Sequence, residues 1–270
     1  MVRPGRKIVP AGFVPKAAAI SHLRGYKKAH AGRPALIIGN GPSADLLEKY
    51  KSHLPKILSF GVNRSFPAYH TPYWLGLDRE YVIHIQTQRN PTVAFVWDHF
   101  HSVCREKNKF VKIAWFNNTR GLLARSLSPK DGIAFGNSST YSALHLAAMM
   151  GCTPIYIIGN DLAWIPGSKS HFYKNKFSEV GSKKYVLNGI TYLTKGTMLR
   201  MKRNFEASKP LFDKNGIKII NISGGILEKY KRKTVDEAME KLIAFGPVIP
   251  FKPKPGGKVK PWESYIQRLP

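Results

Sequence analysis

The chain has 270 residues, 43% of them hydrophobic, and 43 Lys and Arg against 16 Asp and Glu, a formal net charge of +27. That is enough for one sizeable core with at most a small subdomain. Two distant cysteines, Cys104 and Cys152, exclude a disulfide framework and a Cys-based metal site, and no apolar run approaches the roughly 20 residues of a membrane span.

Residues 1–33 carry eight Lys or Arg and no acid. They read as a basic N-terminal arm with a short helix near 17–28. The segment has no continuous apolar stretch of the kind a secretory signal needs, so the expected compartment is the cytoplasm. Ala35–Ile38 (ALII) reads as a buried strand leading into the Gly-rich turn Gly39-Asn40-Gly41-Pro42-Ser43. A helix is predicted over 44–51, with Ser43 as N-cap. Ile57–Phe60, Thr92–Trp97 and Phe110–Trp115 read as further strands. Ser139–Met150 reads as a helix closed by Gly151, and Ile155–Ile158 (IYII) as a buried strand. A helix over 199–214 is expected to kink or break at Pro210. Ile217–Asn221 reads as a strand, and Thr234-x-x-Glu237 is a capping box opening a last helix to Ala244. From Pro247 to Pro270 recurrent prolines exclude a regular helix and predict a Pro-rich tail.

Continuous apolar strands alternating with helices predict an α/β fold: a Rossmann-like parallel sheet with helices on both faces, spanning 34–246. Such sheets bind ligands beyond the carboxyl ends of their strands. That edge collects Gly39, Asn40, Gly41, Pro42 and Ser43, then Asn63, Asp78, and Asn160 with Asp161. The glycines allow a sharp turn, and the helix that follows offers free N–H groups to a phosphate. The loop is neither a full dinucleotide fingerprint, since Asn63 rather than an acid follows the second strand, nor a P-loop, since no Gly-Lys-Ser/Thr follows. Ser138 and Ser139, at the start of the helix to Met150, are either plain N-caps or a second anion contact. Asp161 suits a ribose hydroxyl, a metal ion or a neighbouring loop. His171 stands in a polar, basic segment, either as a solvated surface residue or as a general base.

GNGPS, the Gly61-Val62-Asn63-Arg64 stretch, GNSSTYSALHLAAMMGCTPIYIIGNDLAW and a following His-Phe together resemble one family. It contains bacterial motility accessory factors, archaeal 6-hydroxymethylpterin pyrophosphokinases and related bacteriophage proteins. The chain is also similar to bacterial lipooligosaccharide sialyltransferases over about residues 35–225. The resemblance implies a nucleotide held by Asn40 and Asn63, donor contacts from Ser138 to Tyr141, and His171 as base. For a bacteriophage member the expected compartment is the host cytoplasm.

Two reactions and one binding role follow. The first is glycosyl transfer from a nucleotide-activated sugar donor, a cytidine-activated nonulosonate among the candidates. His171 would accept the proton of the acceptor hydroxyl, and Tyr173 or a nearby lysine would steady the leaving phosphate. The second is pyrophosphoryl transfer to a small hydroxymethyl heterocycle. It requires Mg²⁺, with Asp78 and Asp161 as metal ligands and Glu80 in reserve. The third is a non-catalytic nucleic-acid-binding protein on the same fold. Residues 164–209 carry ten Lys or Arg against Glu179 and Glu206, with interleaved aromatics. This segment is predicted to form a basic lid over the site and to meet a nucleic acid or other polyanion.

Overall fold

The strand-forming runs assemble into one eight-stranded sheet in the computed structural model, which describes residues 16–104, 110–117, 121–173 and 179–248. The strands of this sheet are β1 (Ala35–Ile38), β2 (Ser59–Val62), β3 (Tyr73–Gly76), β4 (Thr92–Trp97), β5 (Val111–Phe116), β6 (Ile155–Ile158), β9 (Ile219–Asn221) and β10 (Lys231–Arg232). Their order is β10-β9-β6-β1-β2-β3-β4-β5, and every pairing is parallel. Between β6 and β9, β7 (Lys183–Leu187) and β8 (Ile190–Thr194) form a separate antiparallel hairpin. The helices are α1 (Lys16–Tyr26), α2 (Arg79–Ile85), α3 (Ser139–Met149), α4 (Gly196–Lys214) and α5 (Val235–Ala244).

The apolar runs are continuous because both sheet faces are covered. Ala35, Ile37, Ile155 and Ile157 share a cluster with α3 and with Phe205 and Phe212 of α4. Leu36, Ile38, Tyr156 and Ile158 point the other way, into a cluster with Leu47 and with Ala238, Met239 and Leu242 of α5. A third cluster packs Val82 and Ile85 of α2 on Trp74, Ala94 and Val96. After β1 the chain builds outward through β2, β3, β4 and β5. It then returns through α3 to lay β6 on the opposite side of β1. The carboxyl ends of β1 and β6 therefore flank the point where the strand order reverses, the site at which such sheets bind ligands.

Several local expectations need correction. The helix expected over 44–51 is a tight 3-10 run over Pro42–Tyr50 whose N-cap is Gly41. Ser43 is not its cap because its hydroxyl is held elsewhere, as described below. Pro210 does not interrupt α4, which continues to Lys214 with Phe205 and Phe212 buried on either side of it. Tertiary packing outweighs the missing amide. From residue 16 onward the N-terminal basic segment packs on the sheet domain, and its expected short helix is α1. Ala19, Leu23 and Tyr26 of α1 are buried, and Lys28, His30 and Gly32 donate backbone bonds to Met149, Met150 and Gly151. Residues before 16 and the Pro-rich tail beyond 248 lie outside the described residues. The range 164–209 is not one lid. It divides into a cleft-lining stretch, the β7–β8 hairpin and the core helix α4, with residues 174–178 outside the described residues. Among the described residues no helix is long and apolar enough to cross a membrane.

Candidate functional site

Parallel pairing brings Ile38 level with Ile158, so the two strands end together and their loops leave side by side. Gly39 N–H donates to the Ile158 carbonyl at 2.8 Å, and Gly41 N–H to the Gly159 carbonyl at 2.7 Å. The contact tolerates no side chains. A Cβ at Gly39 would stand 2.3 Å from the Gly159 oxygen, and one at Gly41 2.1 Å from Asp161 Oδ2. The glycines of the Gly-Asn-Gly-Pro-Ser loop thus serve first to let two loops interlock. Ser43 completes the lock: its Oγ donates to Asp161 Oδ2 at 2.9 Å and accepts from Gly159 N–H at 3.0 Å. Asp161 is 4% exposed, and burial pushes its carboxyl up to about 6, against the hydrogen bonds from Ser43 and Gly224.

The interlocked loops form one wall of a cleft of about 460 Å³. Two cleft-lining amide side chains each hold a buried atom that has no partner among the described residues: Asn40 Oδ1, an acceptor, and Asn160 Nδ2, a donor on a residue that is 4% exposed. The Asn160 backbone is fixed, its N–H donating to Ser223 Oγ at 3.0 Å. A buried amide atom left unpaired costs about 1–3 kcal/mol, so these two side chains mark the part of the wall that is not satisfied within the protein.

Helix starts also line the cleft. Ser138, Ser139 and Thr140 open α3, and Thr197 and Met198 open α4; all five line the cleft. No side chain caps either helix, at Ser138 or at Lys195. Uncapped first-turn amides and two positive dipole ends aimed at one space favour an anion there. Asn63, Asn137 and Leu162 also line the cleft, and each has positive φ, at 45°, 60° and 56°. Backbone strain of this kind is retained where the surroundings over-determine it, and it gathers at ligand sites.

Comparisons of the chain with protein-family models, with curated proteins and with solved structures return no match. Functional inference therefore rests on the cleft itself.

The sequence-predicted residues divide by what the fold does with them. Asn40, Gly41, Asn63, Asp78, Ser138, Ser139, Asn160, Asp161 and His171 all line the cleft, while Gly39 and Ser43 bond to the loop after β6 and Pro42 opens the 3-10 run. Asn63 is committed within the protein. Its Nδ2 donates to Asp78 at 2.6 Å and its Oδ1 accepts from Leu77 N–H at 3.4 Å. Desolvation at the cleft raises the Asp78 carboxyl above its ordinary range, opposed by the Asn63 bond. Asp161 does not suit a metal ligand, because its carboxylate is already spent on Ser43 and Gly224. Asp78 is the other cleft-lining acid, and among the described residues no three His, Cys, Asp or Glu gather as metal ligands would. Of the two Mg²⁺ ligands expected for pyrophosphoryl transfer, Asp161 is thus engaged within the protein, and Asp78, bonded to Asn63, stands beside the cleft. Tyr141 is a further correction: it is fully buried, and its hydroxyl bonds Ala124 N–H and Ser208. It reaches no donor in the cleft.

His171 is brought to the cleft by a stretch docked on the Gly-rich loop. Phe172 N–H donates to the Asn40 carbonyl at 3.2 Å, Phe172 packs on Tyr69, and Lys169 pairs with Asp45. The His171 ring stacks on Tyr173 at 4.8 Å, and Tyr173 in turn lies under the Arg64 guanidinium at 4.6 Å. Sequence patterning did not assign Leu162 or the start of α4 at Gly196-Thr197 to the site.

Proposed function

We propose that the protein is a nucleotide-dependent transferase acting as a glycosyltransferase on a nucleotide-activated sugar. The observation that carries this reading is one cleft lined both by the amide side chains of Asn40 and Asn160 and by two helix starts that no side chain caps. An uncharged donor–acceptor pair suits a base or sugar, and helix N-termini suit the phosphate attached to it. The likeness of the Gly-Asn-Gly-Pro-Ser loop to the sialyltransferase group supports the same assignment.

In this reading His171 accepts the proton of the acceptor hydroxyl as that oxygen attacks the anomeric carbon. The bond from the anomeric carbon to the donor phosphate oxygen breaks, and the nucleotide leaves with the electron pair. The amides of α3 and α4 stabilise the phosphate as its charge grows. A single displacement inverts the anomeric centre. Cleft-lining Ser170 sits beside the base, its Oγ 3.2 Å from His171 Nδ1.

The test is calorimetric titration with a panel of nucleotides, with and without Mg²⁺, followed by analysis of products from the matching sugar donor. Metal-independent binding of one nucleotide, with an inverted product, is the expected result. Binding of ATP only in the presence of Mg²⁺ would instead support pyrophosphoryl transfer. No nucleotide binding, with salt-sensitive DNA binding, would leave a non-catalytic binding protein.

A further inference from the structure

A second cavity adjoins the cleft, and helix α4 is the partition between them. Thr197, Met198 and Met201 face the cleft. Arg200, Arg203, Asn204 and Ala207 recur at i, i+3, i+4 and i+7 and line the second cavity, of about 290 Å³. Asn137 borders both spaces. Both arginines are exposed, and neither has an acidic partner among the described residues. Their neighbours on the same helix differ: Lys202 pairs with Glu206 at 2.8 Å, and Lys209 with Asp213 at 2.6 Å. Unpaired guanidinium groups side by side repel each other and suit phosphate oxygens, which they bind bidentately.

An aromatic group meets the same wall from the other side. Trp97, at the carboxyl end of β4, stands edge-on to Phe135 at 4.8 Å, and Phe135 lines the cleft. His99 lies 4.8 Å from Trp97, tilted by 31°, and is exposed. Gly136 ties the parts together: its carbonyl accepts from Asn204 Nδ2 at 2.9 Å, and its N–H donates to the Leu122 carbonyl at 2.9 Å. The consecutive residues Phe135, Gly136 and Asn137 thus join an aromatic platform, the cleft and an arginine-lined cavity.

We propose that the acceptor is a single-stranded nucleic acid whose phosphates rest on Arg200 and Arg203 and whose neighbouring base stacks against His99 and Trp97, presenting a hydroxyl at the cleft. The acceptor role rests on the transferase reading of the cleft; binding of the strand does not. Phosphate contacts beside stacking aromatics are how single strands are held without sequence readout. A duplex keeps its bases stacked on one another and unavailable to the platform. The net charge of +27 supplies the long-range attraction.

The test is fluorescence anisotropy with a labelled oligonucleotide of about 12 nucleotides across about 50–300 mM salt. Arg200→Ala/Arg203→Ala is expected to weaken binding roughly tenfold and to flatten the salt dependence by about 1.4, near 0.7 for each lost phosphate contact. His99→Ala is expected to weaken binding a few-fold with the salt slope unchanged. Trp97→Leu, checked by circular dichroism, should do the same. Unchanged affinity in the arginine variant overturns the strand site. So does inorganic polyphosphate that competes equally while the aromatic variants bind as wild type, or a duplex bound as tightly as the single strand. Nucleotide titration of the same proteins separates the two readings. Retained nucleotide binding alongside a lost strand site sinks only the present proposal. A wild type that binds the strand and no nucleotide sinks the transferase reading, and the acceptor role with it.

Discussion

Ser43 Oγ and Asp161 Oδ2 lie 2.9 Å apart, and this contact joins the two loops that leave the sheet at its reversal point. The serine hydroxyl turns away from its own helix start and passes a hydrogen bond from Gly159 N–H to the carboxylate. Asp161 therefore holds the cleft wall in shape, and Asn40 and Asn160 line the same cleft.

The buried carboxyl predicts an inverted pH response at this position. Its pKa in the fold, about 6, lies above the ordinary 3.8, so the folded state holds the proton more tightly than the unfolded chain. The stabilising contribution is full below the ordinary value and is lost as pH rises through about 6. Asp161→Asn removes this dependence. Its stability relative to wild type should rise by at most about 3 kcal/mol between about pH 4 and pH 7, on top of a constant loss from the altered bond to Ser43. Urea unfolding of both proteins at the two pH values measures the difference. A gap that does not change with pH would show that the carboxyl titrates normally.

Gly41→Ala should fail through contact, not conformation. Gly41 has φ −70° and ψ 164°, which alanine adopts freely. The added methyl would meet Asp161 Oδ2 at 2.1 Å, so the loops must separate. A loss of about 1–3 kcal/mol in stability is expected, together with a marked loss of nucleotide binding. Gly167→Ala is the contrasting case. It has φ +76° with open space around it, so it should lose stability through backbone strain and keep its nucleotide affinity. Thermal melts and calorimetry on the pair distinguish the two causes.

Asn160→Ala should cost binding without costing stability. The Nδ2 group has no partner among the described residues, so deleting it breaks no internal bond there. Nucleotide affinity should fall by about 1–3 kcal/mol while the melting temperature holds or rises slightly. Asn63→Ala should do the reverse, since its amide is spent on Asp78 and Leu77. It is expected to lose about 1 kcal/mol of stability. Equal binding by Asn160→Ala and wild type would move the ligand elsewhere.

His171→Gln should lower the rate of transfer by about 10²–10⁴ and leave donor binding close to wild type. The distinguishing readout is the pH profile. The wild-type rate should fall on an acidic limb, where the imidazole is protonated, and the variant should lack that limb, measured under single-turnover conditions. A variant with a full rate and an unchanged profile would remove His171 from the chemistry.

Local pattern carried far for the sheet and less far for the site. The runs ALII and IYII are strands at the predicted residues because branched apolar side chains with no polar alternation fit only a sheet covered on both faces. The capping box at Thr234 and Glu237 is present with both bonds, since it closes within one turn. The β7–β8 hairpin was equally legible in Asn188-Gly189, both at positive φ between paired strands. It was obscured by the lysines and aromatics around it, which read together as a basic lid. Ser43 and Tyr141 show the limit. Each stands at a helix start with a hydroxyl suited to a cap or a ligand, and each is claimed instead by a residue 65 or more positions away in sequence, Asp161 or Ser208.

By itself, the sequence determined the α/β class, the covered parallel sheet and the collection of Gly, Asn, Asp and Ser residues at its carboxyl edge. These depend on propensity, periodicity and turn chemistry, which act over a few residues. Only the tertiary structure decided which of those polar groups stay free. Asn40 and Asn160 line the cleft and keep side-chain atoms without a partner among the described residues, whereas Asn63, Ser43 and Asp161 are consumed in holding its walls. A hydrogen-bonding side chain takes whichever partner the fold brings within about 3 Å, and for partners more than a hundred residues apart that proximity is a property of the packed sheet and not of the local chain.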